Sequence, residues 1–300
     1  MNREALILNR FCFRLSQDFI DVGKCACCGQ MFRWNCLSDG RWLGQDGDLV
    51  YLVKTNINAN STHLEVEANA SLNDFSKLFR MDCNWKNQVN EVLVRGPELG
   101  KFLDSFIGIR TMHPQSVVES IFSFLCTPNN NIKRITSMVQ KLARYGPSMG
   151  TTEGYSLYAF PTLDVLATIG EAELRNSGFG YRAKTIPLVA QKILERGGLS
   201  YLQGLRIKCC YEEIIEEFLS LPGIGPKLAD CIALFAFHCG YAVPFDTHLW
   251  KKATSLYFPQ WAGSSLTNKK YDEAGDFFRH RFGEFAGLAH HILFLADLNP

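Results

Sequence analysis

Between residues 31 and 68 apolar and polar positions alternate in short runs. MFRWNCL, GRWLGQ, LVYLVKT and THLEVEA are rich in β-branched and aromatic side chains, with turn residues in DGRW and QDGD between them. A period of two over runs this short predicts strands, here an antiparallel sheet with one covered face. From Leu72 the spacing changes to three and four, and LNDFSKLFRMD and GPELGKFLDSF read as helices. From about Thr111 onward helix follows helix: SVVESIFSFLC, NNIKRITSMVQKLARYG, TLDVLATI, EAELRNSG, YRAKTIPLVAQKILERGG, YEEIIEEFLS, PKLADCIALFAF, THLWKKATSLY, YDEAGDFFRHRFG and EFAGLAHHILFLADL. Short Gly, Pro or Asn breaks separate them. No repeat or low-complexity tract intervenes. The expectation is an α+β protein, with an antiparallel β-sheet domain over residues 1–110 and an all-α domain over 111–300.

Composition narrows the partners. An apolar fraction of 47% is ample for a packed core, while 20% charged residues net only +1. No global field attracts a polyanion, so any nucleic-acid surface must be a local patch. Eleven cysteines in 300 residues do not make a disulfide mini-scaffold. MNREALILNRFCFRL lacks the pattern of a signal peptide, and no run is as long as a membrane span. These features point to an intracellular protein with reduced thiols: nuclear in a eukaryote, in the cytoplasm or nucleoid of a prokaryote. Cys25 and Cys28 have C-x-x-C spacing, but no second pair follows to complete a zinc site, and no cysteine quartet marks an iron–sulfur cluster. Cys25, Cys27 and Cys28 read as small buried residues beside a strand.

The stretch LPGIGPKLADC at 221–231 concentrates unusual chemistry. Gly223 and Gly225 with their prolines allow a tight reversal between two helices, and the exposed amides of such a turn approach a phosphate closely. Lys227 falls in the first turn of the second helix. The helix dipole disfavours a cation there, and desolvation adds to it, so a lowered lysine pKa and a reactive amine are expected. Downstream, AVPFDTHLWK places Asp246 at a helix N-cap, returned to the same end of the helix pair. An amine that attacks a sugar carbon and a carboxylate that stabilises an oxocarbenium-like state make a sensible pair.

LPGIGPKLADC followed by VPFDTHLW resembles the helix–hairpin–helix superfamily of base-excision DNA glycosylases. CGQMFRW, FLCTPNNNIKRI, GFGYRAK, LPGIGPKLADC, VPFDTHLW and HHILFLADL occur in the order found in 8-oxoguanine DNA glycosylases. The resemblance implies a TBP-like N-terminal sheet domain and a bifunctional enzyme. It would excise 8-oxoguanine, and the related formamidopyrimidine, paired with cytosine in duplex DNA, then nick the strand by β-elimination. Lys227 falls at the Schiff-base nucleophile and Asp246 at the catalytic aspartate. Gly29, Cys231 and Phe294 fall in the base pocket, with the Gly29 carbonyl facing N7–H of the lesion. Asn129, Arg134 and Arg182 match readers of the estranged cytosine, Tyr181 a wedge in the stack, and His248 a phosphate contact. The carbonyls of Leu219, Leu221 and Ile224 match a set that holds a monovalent cation. No other cofactor is implied, and a monomer is the default.

His290 stands where the family usually has a glutamine on the base edge, and Pro226 before the lysine is a second departure. Two rival readings predict less. A monofunctional alkylpurine glycosylase has no use for Lys227, and a non-catalytic DNA-binding module has no use for Lys227 and Asp246 together.

Overall fold

The computed structural model describes residues 6, 8–16, 19–58 and 61–298. Five antiparallel strands, β1 (Asn9–Ser16), β2 (Trp34–Cys36), β3 (Trp42–Asp46), β4 (Leu49–Asn58) and β5 (Ser61–Ala68), form one sheet in the order β1-β5-β4-β3-β2. Four coincide with the alternating runs. β1 is not among the sequence expectations. It sets Phe11 opposite Val66 and Phe13 opposite Leu64, so its apolar residues extend the face of β5. A helix at Val22–Cys27 also departs from the strand expectation. It is capped by Asp21, whose side chain accepts from the Lys24 amide, and it carries Cys25 and Cys27, with Cys28 at its C-terminal cap.

The sheet is covered on both faces where one was expected. Tyr51 and Val53 enter one apolar cluster and Val50 and Leu52 another, as the pleat requires. The second face is closed by Leu157 of a hairpin, β6 (Ser148–Thr152) with β7 (Tyr155–Tyr158), that interrupts the otherwise helical chain. Helices at Trp85–Arg95 and Gly198–Lys208 are further additions to the expected series.

Two large apolar clusters carry the helices. One draws on residues 117–242 together with Phe32 of the sheet region. The other joins residues 20–112 to residues 243–295. The chain therefore returns: after the helix at Pro226–Phe235 it crosses to the sheet-side cluster, and the helices at Thr247–Leu256, Asn268–Phe282 and Ala286–Leu298 pack there. Among the described residues no helix is long and apolar enough to cross a membrane.

Candidate active site

At the seam of the two clusters lies a cavity of about 430 Å³. Its wall includes Lys227, Cys231 and Phe235 from one helix, Asp246 and Pro244 from the segment after it, His290, His291 and Phe294 from a third, and Cys28 and Gly29 from the sheet side. With Phe124, Thr127, Asn130 and Ile135, five separate stretches of sequence thus meet around one volume of the size usual for a small-ligand site.

The hairpin delivers the lysine. The helix Tyr211–Leu219 ends at Ser220, and Gly223 turns the chain with φ +76°. A Cβ at Gly223 would lie 2.8 Å from a methyl carbon of Thr185, so both backbone sign and space require glycine. Gly225 is the N-cap of Pro226–Phe235 and Pro226 opens it, which puts Lys227 in the first turn. Cys231 follows at i+4, on the same face one turn along. The Cys231 sulfur and, after it, the Asp246 carboxylate hold the Lys227 pKa above its ordinary value, against the opposing effect of burial. The expected lowering is reversed because Cys231, one turn along the same helix, and Asp246, from the next segment, together outweigh desolvation. Burial in turn pushes the Cys231 thiol up.

Asp246 caps the helix Thr247–Leu256: Oδ1 accepts from the Leu249 amide at 2.8 Å, as its position predicts. The register between Lys227 and Asp246 is fixed by a residue that sequence reasoning missed. Asp230, 2% exposed, accepts from the Tyr271 hydroxyl at 2.5 Å, the Tyr211 hydroxyl at 2.9 Å and the Val243 amide at 3.3 Å. Arg279 donates to the Tyr211 oxygen at 2.8 Å. Val243 lies three residues before Asp246, so one carboxylate ties the lysine's helix to the aspartate's segment. Burial raises the Asp230 pKa while its hydrogen bonds oppose the rise. An acid inside the apolar run PKLADCIALF was the available signal.

Aromatic rings form much of the rest of the wall. Phe124 stacks on Phe235 at 5.2 Å, and Phe294 lies near-parallel to His290 at 6.0 Å. His290 turns Nε2 to the Pro244 carbonyl at 3.1 Å and leaves Nδ1 buried without a partner. Burial lowers its pKa to about 3, so it is neutral and Nε2 donates. His291 is likewise lowered to about 3 by burial, with Nδ1 3.0 Å from the Thr111 hydroxyl. Gly29 has φ +82° in the bend after Val22–Cys27, which suits glycine. The Cys28 thiol is pushed up to about 12 by burial, and no group of three metal-ligating side chains occurs among the described residues.

The remaining sequence candidates gather outside this wall. Tyr181, 54% exposed, donates to the Pro128 carbonyl at 3.2 Å. Arg182 is buried, donates to the same carbonyl, and lies 4.6 Å from the Tyr181 ring centroid. Asn129, next to that carbonyl, has φ +50° and is exposed. The flanking Thr127, Asn130 and Asn131 line the cavity, which places this cluster beside it. Arg134 is exposed on Ile132–Ala143, a helix capped by Asn131. Gly223 and Gly225 are exposed at the hairpin. His248 belongs to the helix Thr247–Leu256, and its side chain is outside the described residues.

The chain and its fold are similar to those of known proteins. Residues 13–121 match the family model described as 8-oxoguanine DNA glycosylase, N-terminal domain. The N-glycosylase/DNA lyase OGG1 of Arabidopsis thaliana is 39% identical over 206 residues, covering 68% of this chain and 56% of that protein. The N-glycosylase/DNA lyase of Saccharomyces cerevisiae is 32% identical over 247 residues, 74% of this chain and 65% of that protein. The chain thus spans somewhat under two thirds of the length of these curated relatives. Among solved structures, the Clostridium acetobutylicum 8-oxoguanine glycosylase/lyase, in complex with double-stranded DNA containing cytosine opposite the lesion, aligns over 98% of both chains with a TM-score of 0.80 and 27% identity.

Proposed function

From a chain that belongs to the 8-oxoguanine DNA glycosylase family, we propose a base-excision enzyme that removes 8-oxoguanine paired with cytosine and then cleaves the abasic strand. The observation that carries this reading is the single cavity bringing Lys227, Cys231 and Asp246 to one volume beside Gly29 and Phe294.

The duplex docks on the hairpin and on exposed cations of Ile132–Ala143 and Arg182–Glu195, and the damaged nucleotide swings into the cavity at a cost of a few kcal/mol in stacking and pairing. Cys231 and Phe294 flank the base, and the Gly29 carbonyl accepts from N7–H, a hydrogen that undamaged guanine lacks. Lys227 gives up a proton to water, against the Cys231 sulfur and the Asp246 carboxylate, which favour its charged form. The free amine attacks C1′, and the base departs with the bonding electrons. Asp246 offsets the positive charge on the sugar. Ring opening yields a Schiff base, loss of a C2′ proton expels the 3′ phosphate, and hydrolysis frees the lysine. A monovalent cation is proposed at the carbonyls of Leu219, Leu221 and Ile224, of which Leu221 also accepts a long 3.4 Å bond from the Ile224 amide.

Borohydride trapping on a duplex with one 8-oxoguanine opposite cytosine tests this. Wild type is expected to give a covalent adduct and Lys227→Gln none. An undiminished adduct in Lys227→Gln removes the nucleophile assignment. Formamidopyrimidine is proposed as a second substrate. His290→Gln is expected to change the preference between the two lesions, because an amide restores a paired donor and acceptor where the imidazole turns its donor to Pro244.

A further inference from the structure

The chain that follows Lys227 also walls a second cavity, of about 640 Å³, through Leu234, Phe237 and His238. None of its lining residues takes part in the proposed excision. In its wall the His113 and His238 rings stack, with centroids 3.9 Å apart and planes 6° from parallel. A guanidinium caps each ring. Arg80 Nη1 is 2.9 Å from His113 Nε2 and Nη2 donates to Gln88 Oε1 at 2.9 Å. Arg206 Nη2 donates to the Pro114 carbonyl at 2.6 Å and lies 3.1 Å from His238 Nδ1, and Nη1 reaches the Gln115 carbonyl at 3.2 Å. His238 Nε2 is itself 3.0 Å from Pro114 O.

Burial keeps both imidazoles neutral, His238 at about 3 and His113 lower still, so each accepts from its arginine. The two guanidiniums are therefore the cations of the cluster. Among the described residues neither meets a carboxylate: their partners are carbonyls, an amide oxygen and imidazoles. Charges withdrawn from water are normally paired, yet neither guanidinium has a carboxylate of the described residues within hydrogen-bond reach; Asp46, itself bonded to the Gln115 and Ser116 amides, acts on Arg206 only through space. Arginine forks match the geometry of a tetrahedral oxyanion. Glu212 and Glu284 also line the cavity, which favours an anion of low charge over a polyphosphate. The volume exceeds what phosphate alone fills.

We propose that this second cavity binds a phosphate monoester, with the phosphate held by Arg80 and Arg206 and the organic part in the remaining space. Inorganic phosphate and adenosine 5′-monophosphate are the probes, titrated calorimetrically against the full chain. Wild type is expected to bind the monoester saturably and more tightly than inorganic phosphate. Arg80→Gln and Arg206→Gln are each expected to weaken it by about tenfold to hundredfold, the value of a charge-assisted hydrogen bond, with borohydride trapping retained as the sign of a folded protein. Arg80 holds only side chains, so Arg80→Gln carries the test if Arg206→Gln fails to fold. Equal affinity for the two probes overturns the ester assignment. No saturable uptake by wild type, or uptake unchanged in the folded variants, overturns the site.

Discussion

Asp230 shows how much a single residue decides here. Replacing it with alanine leaves two tyrosine hydroxyls and the Val243 amide without their acceptor. Asp230→Ala is expected to cost about 1–3 kcal/mol in urea denaturation, and to slow borohydride trapping because the segment carrying Asp246 is released. The buried histidines make a second prediction. His238, His290 and His291 are each lowered to about 3, from an ordinary value of 6.5. Between those values the unfolded chain binds more protons than the folded one, so their contribution is complete above pH 6.5 and is lost as pH falls toward 3. Each group adds a slope of about 1.4 kcal/mol per pH unit. His291→Gln is expected to flatten the stability–pH curve by that amount, measured from urea midpoints. Lys227 and Asp246 were legible because glycines, prolines and a cap flag them locally. The upward direction of the lysine's pKa was not, since the expected lowering takes no account of Cys231 one turn along, and the effect of Asp246, a smaller cause, depends on folding.

Among elements, the sheet and the helix Val117–Leu125 are joined by a buried ion pair. Arg33 binds Glu119 through two nitrogens, at 2.8 and 2.5 Å, and also donates to the carbonyls of Gly47 and Tyr158 at 2.7 Å. Asp46, raised to about 6 chiefly by burial, accepts from the amides of Gln115 and Ser116 at the start of the same helix. Arg33→Met strands the Glu119 charge and is expected to cost about 3–5 kcal/mol, read from the urea midpoint. Trp34 faces Gly44 across β2 and β3, where an added Cβ would sit 2.2 Å from the indole, so Gly44→Ala is expected to disrupt this edge. Strands β2 to β5 were readable because their alternation is bounded by turn residues. β1 and the β6–β7 hairpin were not, because each owes the covering of its apolar face to a partner distant in sequence.

At the scale of the whole molecule the near-zero net charge and the proposed DNA partner are compatible only through local cations. Lys133, Arg134 and Lys184 are exposed on the helices near the cavity mouth. Arg134→Ala is expected to reduce the slope of log affinity against log salt by about one if it meets a phosphate, and to weaken cytosine preference if it meets the base. The run of helices predicted the α+β class. It did not predict that residues 243–295 would leave the preceding helices and share a core with residues 20–112. Alternation and spacing report which face of an element is buried, not which other element buries it.

That shared core has a consequence for the order of events during synthesis. His290 and Phe294 are made after every other wall of the cavity, and the cluster that seats them is half built long before they arrive. Contacts so far apart in sequence form slowly, and the waiting apolar surface of residues 20–112 invites association meanwhile. A nascent chain already carrying Lys227 and Asp246 therefore has the proposed nucleophile and carboxylate but no finished cavity beside them. The order of translation closes the proposed base pocket last.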